Sequence, residues 1–307
     1  MASIVRSLAR AALPVTAAVL LARAPAARAC SVCGCGDPLL DAADPAAMTS
    51  RLRVALDGES LDVTSGSETT PGATDTLHQY TLKLQAAANP VPGVTLVGTV
   101  PLTRKTMTTE GLTTSDVTGL GDVELAARIA LLDVPNFAAR RLQGVALSIG
   151  TSLPTGPNDL RAGGERIDEH GQPGTGSFGP FAGLHYRVDQ GDWYGSASVT
   201  GRVHTVNGHG YRYGGAVLWS AHGQYRPVKR LALDLGVDGR WAAQDRDEAG
   251  PVLNTGGTVL SASPGLYWNA AGGAWLSVRA QLPVWTRLVG EQSVGPTVVA
   301  GVQYQLF

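Results

Sequence analysis

Past Cys35 the chain contains no cysteine, and its three cysteines fall at positions 30, 33 and 35. A disulfide framework for the bulk of the chain is therefore excluded, and so is a cysteine-ligated zinc module within it. Long apolar runs are missing too. Beyond residue 29 nothing approaches the roughly 20 apolar residues that a membrane helix needs. Charged residues make up only 16% and aromatics 6%. There is no basic excess. Four Arg (Arg6, Arg10, Arg23, Arg28) stand before residue 30, leaving 20 basic against 25 acidic side chains in the rest. A nucleic-acid partner would ask for the opposite balance.

Enzyme signatures are also lacking. No G-x-S-x-G elbow occurs. The nearest approach, Thr175-Gly176-Ser177-Phe178-Gly179, lacks the first glycine. Gly174, Gly176 and Gly179 have dinucleotide-loop spacing. A phosphate cradle needs a strand before those glycines and a helix after them. Here a polar loop precedes and a strand pattern follows. The expectation is a protein that is not an enzyme.

What is present begins with a leader. Arg6 and Arg10 precede the apolar run Ala11–Leu21, and Ala27-Arg28-Ala29 is a small-x-small cleavage site. This is the pattern of a secretory signal peptide over residues 1–29, with Cys30 as the first mature residue. Lipidation of Cys30 is the competing reading, against which Ala27 and Arg28 depart from a lipobox. Residues 30–48 hold the three cysteines and the turn-rich run Asp37–Pro45, and read as a separate periplasmic segment.

From residue 49 onward the chain is a ladder. Segments of about ten residues alternate apolar and polar, which is the period of a strand with two different faces. Twelve are predicted: 49–58, 76–88, 94–106, 119–132, 143–155, 176–188, 193–206, 214–226, 230–243, 256–268, 274–288 and 295–307. Short Gly/Pro/Asn/Asp turns, such as Asn89–Gly93 and Asp189–Asp192, alternate with mostly longer polar connections. The long ones are 59–75, 107–118, 156–175, 207–213 and 244–255. Trp193, Tyr186, Tyr225, Trp268 and Tyr304 fall near strand ends, as interfacial aromatics do. A soluble β-sandwich would also alternate. Strand length and the alternation of connection length favour the other solution: an all-β, transmembrane, antiparallel up-and-down β-barrel of about 12 strands over residues 49–307, in the outer membrane of a Gram-negative bacterium. Its expected partners are outer-membrane lipid, the barrel assembly machinery and a small solute, with no nucleic acid. A barrel of this size has a narrow lumen that side chains or a terminal segment can fill.

Gly119-Leu120-Gly121-Asp122-Val123-Glu124-Leu125, then Leu153-Pro154-Thr155-Gly156, then Gly174-Thr175-Gly176-Ser177, occur in that order. Together they resemble the pattern of the outer-membrane transporter family named after the phenol-degradation meta pathway. The resemblance spans residues 49–307. It implies an outer-membrane barrel that passes hydrophobic compounds, and it carries over no catalytic residue.

Two groups of residues could carry chemistry. Cys30, Cys33 and Cys35, in Cys30-Ser31-Val32-Cys33-Gly34-Cys35, could place three thiolates around one soft ion, Cu(I) or Zn(II). Haem attachment is disfavoured because Gly34, not His, follows C-x-x-C. A plain disulfide in an oxidising compartment is the alternative. The second group faces the lumen by strand parity: Arg128, Glu124, Arg202, His204, Asp234, Asp238, Arg240 and Arg279, together with Arg287, His185 and His222. These read as an ion-pair network filling a narrow barrel, or as the lining of an anion-preferring pore. The functional expectation is a channel or transporter for small or hydrophobic solutes. The alternatives are a metal-handling or redox-associated barrel built around the cysteine cluster, and a structural outer-membrane anchor.

Overall fold

The computed structural model describes residues 52–67, 72–110 and 112–306. The predicted leader, the segment 30–48 with its cysteines, and Phe307 lie outside them.

Twelve antiparallel strands close into one barrel. They are β1 (Leu52–Gly66), β2 (Thr74–Val91), β3 (Val94–Thr109), β4 (Leu112–Leu120 and Val123–Asn136), β5 (Arg141–Leu153), β6 (Gly179–Gln190), β7 (Trp193–Arg202), β8 (Ala216–Val228), β9 (Leu231–Ala242), β10 (Gly257–Ala271), β11 (Ala274–Leu288) and β12 (Gln292–Val294 and Thr297–Leu306). Each pairs with its neighbours in sequence. The seam joins β1 to β12, from Leu52↔Leu306 to Ser60↔Val298 and again from Val63↔Val294 to Ser65↔Gln292. Tight turns such as Pro92-Gly93, where Gly93 has φ +78°, gather at one end together with the first and last strand residues. The long connections gather at the other.

The facing of the strands is the reverse of a soluble protein. On β9, Leu233, Leu235 and Val237 are exposed while Asp234 between them is buried. The same inversion runs around the barrel, with Leu82, Leu84, Leu96, Val278 and Val302 outward and Gln79, Gln85, Thr99, Ser148, Arg202 and Gln303 inward. A continuous exposed apolar band of this kind is stable only against hydrocarbon, which removes the sandwich alternative. Exposed aromatics edge the band. Trp193, Tyr225, Tyr186, Trp268 and Tyr304 ring the turn end, and Tyr80, Trp241 and Trp285 lie toward the loop end. Trp193 and Tyr225 stack with ring centroids 4.8 Å apart.

Proline marks several of the breaks in the ladder, because it has no N–H to donate. Pro101 lies opposite the Gly121-Asp122 interruption of β4, Pro154 follows the end of β5, and Pro283 sits at the irregularity between β10 and β11. That last break corrects one expectation. Leu260 pairs with Trp285 but Ser261 pairs with Pro283, so Val284 is extra and the parity of β11 flips beyond it. Arg287 consequently points outward and is exposed, not into the lumen.

Two predicted loops are strand instead. β1 and β2 stay paired up to Gly66↔Thr74, and β3 and β4 up to Thr109↔Leu112. Residues 59–66, 74–75, 107–109 and 112–118 therefore raise one side of the barrel into a tall wall. Their outer face is polar, with Asp62–His78 (2.7 Å) and Arg104–Asp116 (2.8 Å) paired across strands. The expected connection 133–142 likewise shrinks, since β4 and β5 pair as far as Asn136↔Arg141.

Candidate functional site: lumen and cap

The lumen is lined by side chains that the closure of the sheet brings together from distant positions. Arg202 on β7 pairs with Glu124 on β4 at 2.6 Å and lies over the Phe181 ring, 5.0 Å from its centre. On β8 and β9, His222 lies across Gly236, whose missing Cβ leaves the space the ring occupies. From there it reaches Asp234 (2.8 Å) and Asp238 (3.1 Å), the inward neighbours of Gly236 on either side. Asp238 also accepts from the Ser263 hydroxyl and from the Gln281 amide, the latter at 3.0 Å. Lys83 meets Glu59 at 2.6 Å. Arg279 and Arg240 line the same central cavity, of about 220 Å³. Such pairs position one another more than they stabilise the fold, because desolvation offsets much of their attraction.

At the loop end three connections fold together over the lumen as a cap. The β5–β6 connection contains a short 3₁₀ turn, Glu169–Gly171, whose Asp168 cap accepts from the His170 N–H at 2.8 Å. Two wall residues hold it. Lys105 on β3 donates to the carbonyls of His170 and Gln172, both at 2.8 Å. Asp122, in the break of β4, accepts from Gly156 N–H (3.0 Å), Thr175 N–H (2.8 Å) and the Thr175 hydroxyl (2.6 Å). Asn207, from the β7–β8 connection, donates to Glu169 (3.2 Å) and accepts from Tyr211 N–H (3.0 Å). Tyr211 in turn donates to Asp245 at 2.7 Å, and His170 lies 3.0 Å from the same carboxylate. Burial alone would raise the Asp245 pKa. Hydrogen bonds from His170, the Gly214 N–H and Tyr211 outweigh it and hold the carboxyl below its usual range. His204, beside this group, is pushed down to about 4 by burial and by the charges of Arg202 and Arg240.

At the turn end the interior is emptier. A cavity of about 500 Å³ lies against Arg128, Asp133, His185 and Arg187. Arg187 pairs with Asp133 at 2.5 Å, over Gly144. His185 is 1% exposed, and neither ring nitrogen has a hydrogen-bond partner. The three inward histidines named from sequence are thus apart in role: His222 in the acid cluster, His204 under the cap, His185 on the lower cavity. Among the described residues no group of His, Cys, Asp and Glu has the makings of a metal site. Cys30, Cys33 and Cys35 lie outside the described residues.

No protein-family model and no curated protein matches the sequence. Solved structures do. An outer-membrane channel from Pseudomonas putida F1 superposes with a TM-score of 0.65 over 87% of this chain and 100% of that one, at 12% identity. The architecture is that of an outer-membrane β-barrel. Lower scores are given by the translocator domain of the autotransporter NalP from Neisseria meningitidis (0.45, 13% identity, 84% of this chain and 89% of that one) and by the monoaromatic hydrocarbon channel CymD (0.42, 10% identity, 87% and 91%).

The cap network was not among the residues picked out from sequence. Glu169, His170, Asn207, Tyr211 and Asp245 sit in polar connections without periodicity, and nothing in their local spacing announces that they meet. The one legible sign was Asp122, singled out within Gly-Leu-Gly-Asp.

Proposed function

We propose that this chain is a passive outer-membrane channel for small solutes, closed over at its loop end by the cap. The observation that carries this reading is the inverted barrel: an exposed apolar band outside and a charged lumen with cavities inside. Outer-membrane lipid meets the band, and the barrel assembly machinery is the partner such a fold needs to insert. The order of Gly119–Asp122, Leu153–Gly156 and Gly174–Ser177 supports kinship with the transporter family named after the phenol-degradation meta pathway. The structure gives that order a physical sense. Asp122 from the first piece is hydrogen-bonded to Gly156 of the second and Thr175 of the third. Purified protein reconstituted into planar lipid bilayers should produce discrete ion-conducting steps. Folded, inserted protein without conductance would remove the channel reading and leave that of a structural anchor.

A further inference from the structure

Arg240 stands apart from the other lumen charges. Its cross-strand neighbours are apolar on both sides, Leu218 on β8 and Val259 on β10. Along β9 the next inward residues are Asp238 below and Ala242 above. Asp238 is already engaged by His222, Ser263 and Gln281. The acid on the cap side, Asp245, is engaged by Tyr211, His170 and the Gly214 N–H. Glu59 and Glu124 have Lys83 and Arg202. Among the described residues Arg240 forms no ion pair, and its buried Nε has no acceptor. The charges lining the central cavity are Arg53, Lys83, Arg240 and Arg279 against Asp57, Glu59 and Asp238. The lining is therefore one positive charge in excess.

Position gives this charge its meaning. Arg240 borders both the central cavity and the smaller one of about 80 Å³ beneath the cap, so it sits where the two meet. A solute passing between lumen and cap must pass its guanidinium. The other groups facing that junction are the Thr200, Ser198, Ser220 and Ser261 hydroxyls and the engaged Asp238 below, and Lys105, His170, His204, Glu169, Tyr213 and the engaged Asp245 above. A guanidinium with free donors among hydroxyls recognises a small anion, and a charge in a narrow pore sets which ion enters.

We propose that Arg240 is the selectivity residue of this pore and that the junction it occupies is a binding site for small monoanions. The inference rests on the channel reading and sharpens it from small solutes to anions. The test is the reversal potential of single channels under a potassium chloride gradient, with benign gradients near 0.1 M so that the field of one charge reaches about 10 Å. Wild type should favour chloride over potassium. Arg240→Gln should bring the permeability ratio at least about threefold closer to unity, and Arg240→Glu should invert it. Arg287→Gln removes an equal charge from the outer face and should leave the ratio unchanged. Acetate in place of chloride should lower wild-type current more than Arg240→Gln current, because only wild type retains the ion. Absence of any conductance in folded wild type overturns the channel reading itself. Conductance with the same reversal potential in wild type, Arg240→Gln and Arg240→Glu overturns this inference alone, and leaves a pore whose selectivity comes from elsewhere.

Discussion

At the loop end of the barrel the polar groups of the cap are hydrogen-bonded to one another and to the wall, whereas the turn end encloses a larger cavity and leaves a buried imidazole without a partner. The two ends are built from the same strands. The difference lies in where order comes from. Turn-end residues are placed by the backbone ladder, so a side chain such as His185 is held whether or not it bonds to anything. The cap is made of connections with little ladder of their own. Its side chains must supply the order, and each lost bond is felt.

The sharpest way to break the contrast is to remove the fastener. Asp122→Ala deletes three hydrogen bonds ending on one carboxylate and strands two N–H groups, costing about 4 kcal/mol of cap stability. Protease should then cut the 159–166 segment on intact cells, and channel current should rise. Asp122→Asn should recover part of the loss. Unchanged protection in the alanine variant would mean that Lys105 alone suffices.

Two histidines test the comparison directly. His170→Phe removes a ring bonded to Tyr211 and Asp245 and should cost about 2 kcal/mol. His185→Phe removes a ring with unpaired nitrogens and should lie within about 1 kcal/mol of wild type. Urea unfolding followed by gel mobility of the barrel reads both. Equal losses would show that the ends do not differ in the way described.

Acid should act on the cap in one direction. His204 is held near 4, below its ordinary value of about 6.5, so an opened cap takes up its proton first. Closure is therefore favoured above about pH 6.5 and weakens as pH falls toward 4. Asp245, also depressed, adds stability above its ordinary value of about 3.9 that is lost as pH falls through its folded-state value. Open probability in bilayers should rise between pH 7 and 4. A flat or falling profile would place the gate elsewhere.

The smallest effect should come from the cysteine cluster. Cys33→Ser should leave conductance as it was. If Cys30, Cys33 and Cys35 bind a soft ion, the mature protein purified under reducing conditions should hold about one Cu(I) or Zn(II), lost in this variant. A Cys–Cys linkage in mass spectra with no metal would make the segment a tether.

The strands were readable because a two-residue period survives wherever one face meets lipid. Leu233 and Asp234 announce opposite faces by chemistry alone. The same rule explains what could not be read. Above the apolar band the faces change over: Leu61 and Val63 are buried inside against Leu77, and Asp62 between them is exposed, so the lipid-facing pattern ends although the strands continue. Arg287 was misplaced because one extra residue at Val284 is invisible to a parity count. Partners were less legible still. Parity puts Glu124 and Arg202 on an inward face, but only the curvature of the closed sheet sets them 2.6 Å apart. For the cap, no local pattern in 156–175 encodes a contact with Asn207 or Tyr211.

The seam between β1 and β12 has a consequence in time. Ribosomes make β1 first and β12 last, so the strand that completes the cylinder is the final one delivered. Until then β1 can pair with β2 but its other margin stays open, and so does the growing front. Pairing from Leu52↔Leu306 upward is the longest-range strand contact among the described residues and cannot begin early. An unsealed ribbon with Leu and Val along one side is the kind of intermediate that clumps in water. The chain's biogenesis is therefore a waiting problem: something must shield both margins through synthesis and passage across the periplasm, and the cylinder gains its stability in a single late step.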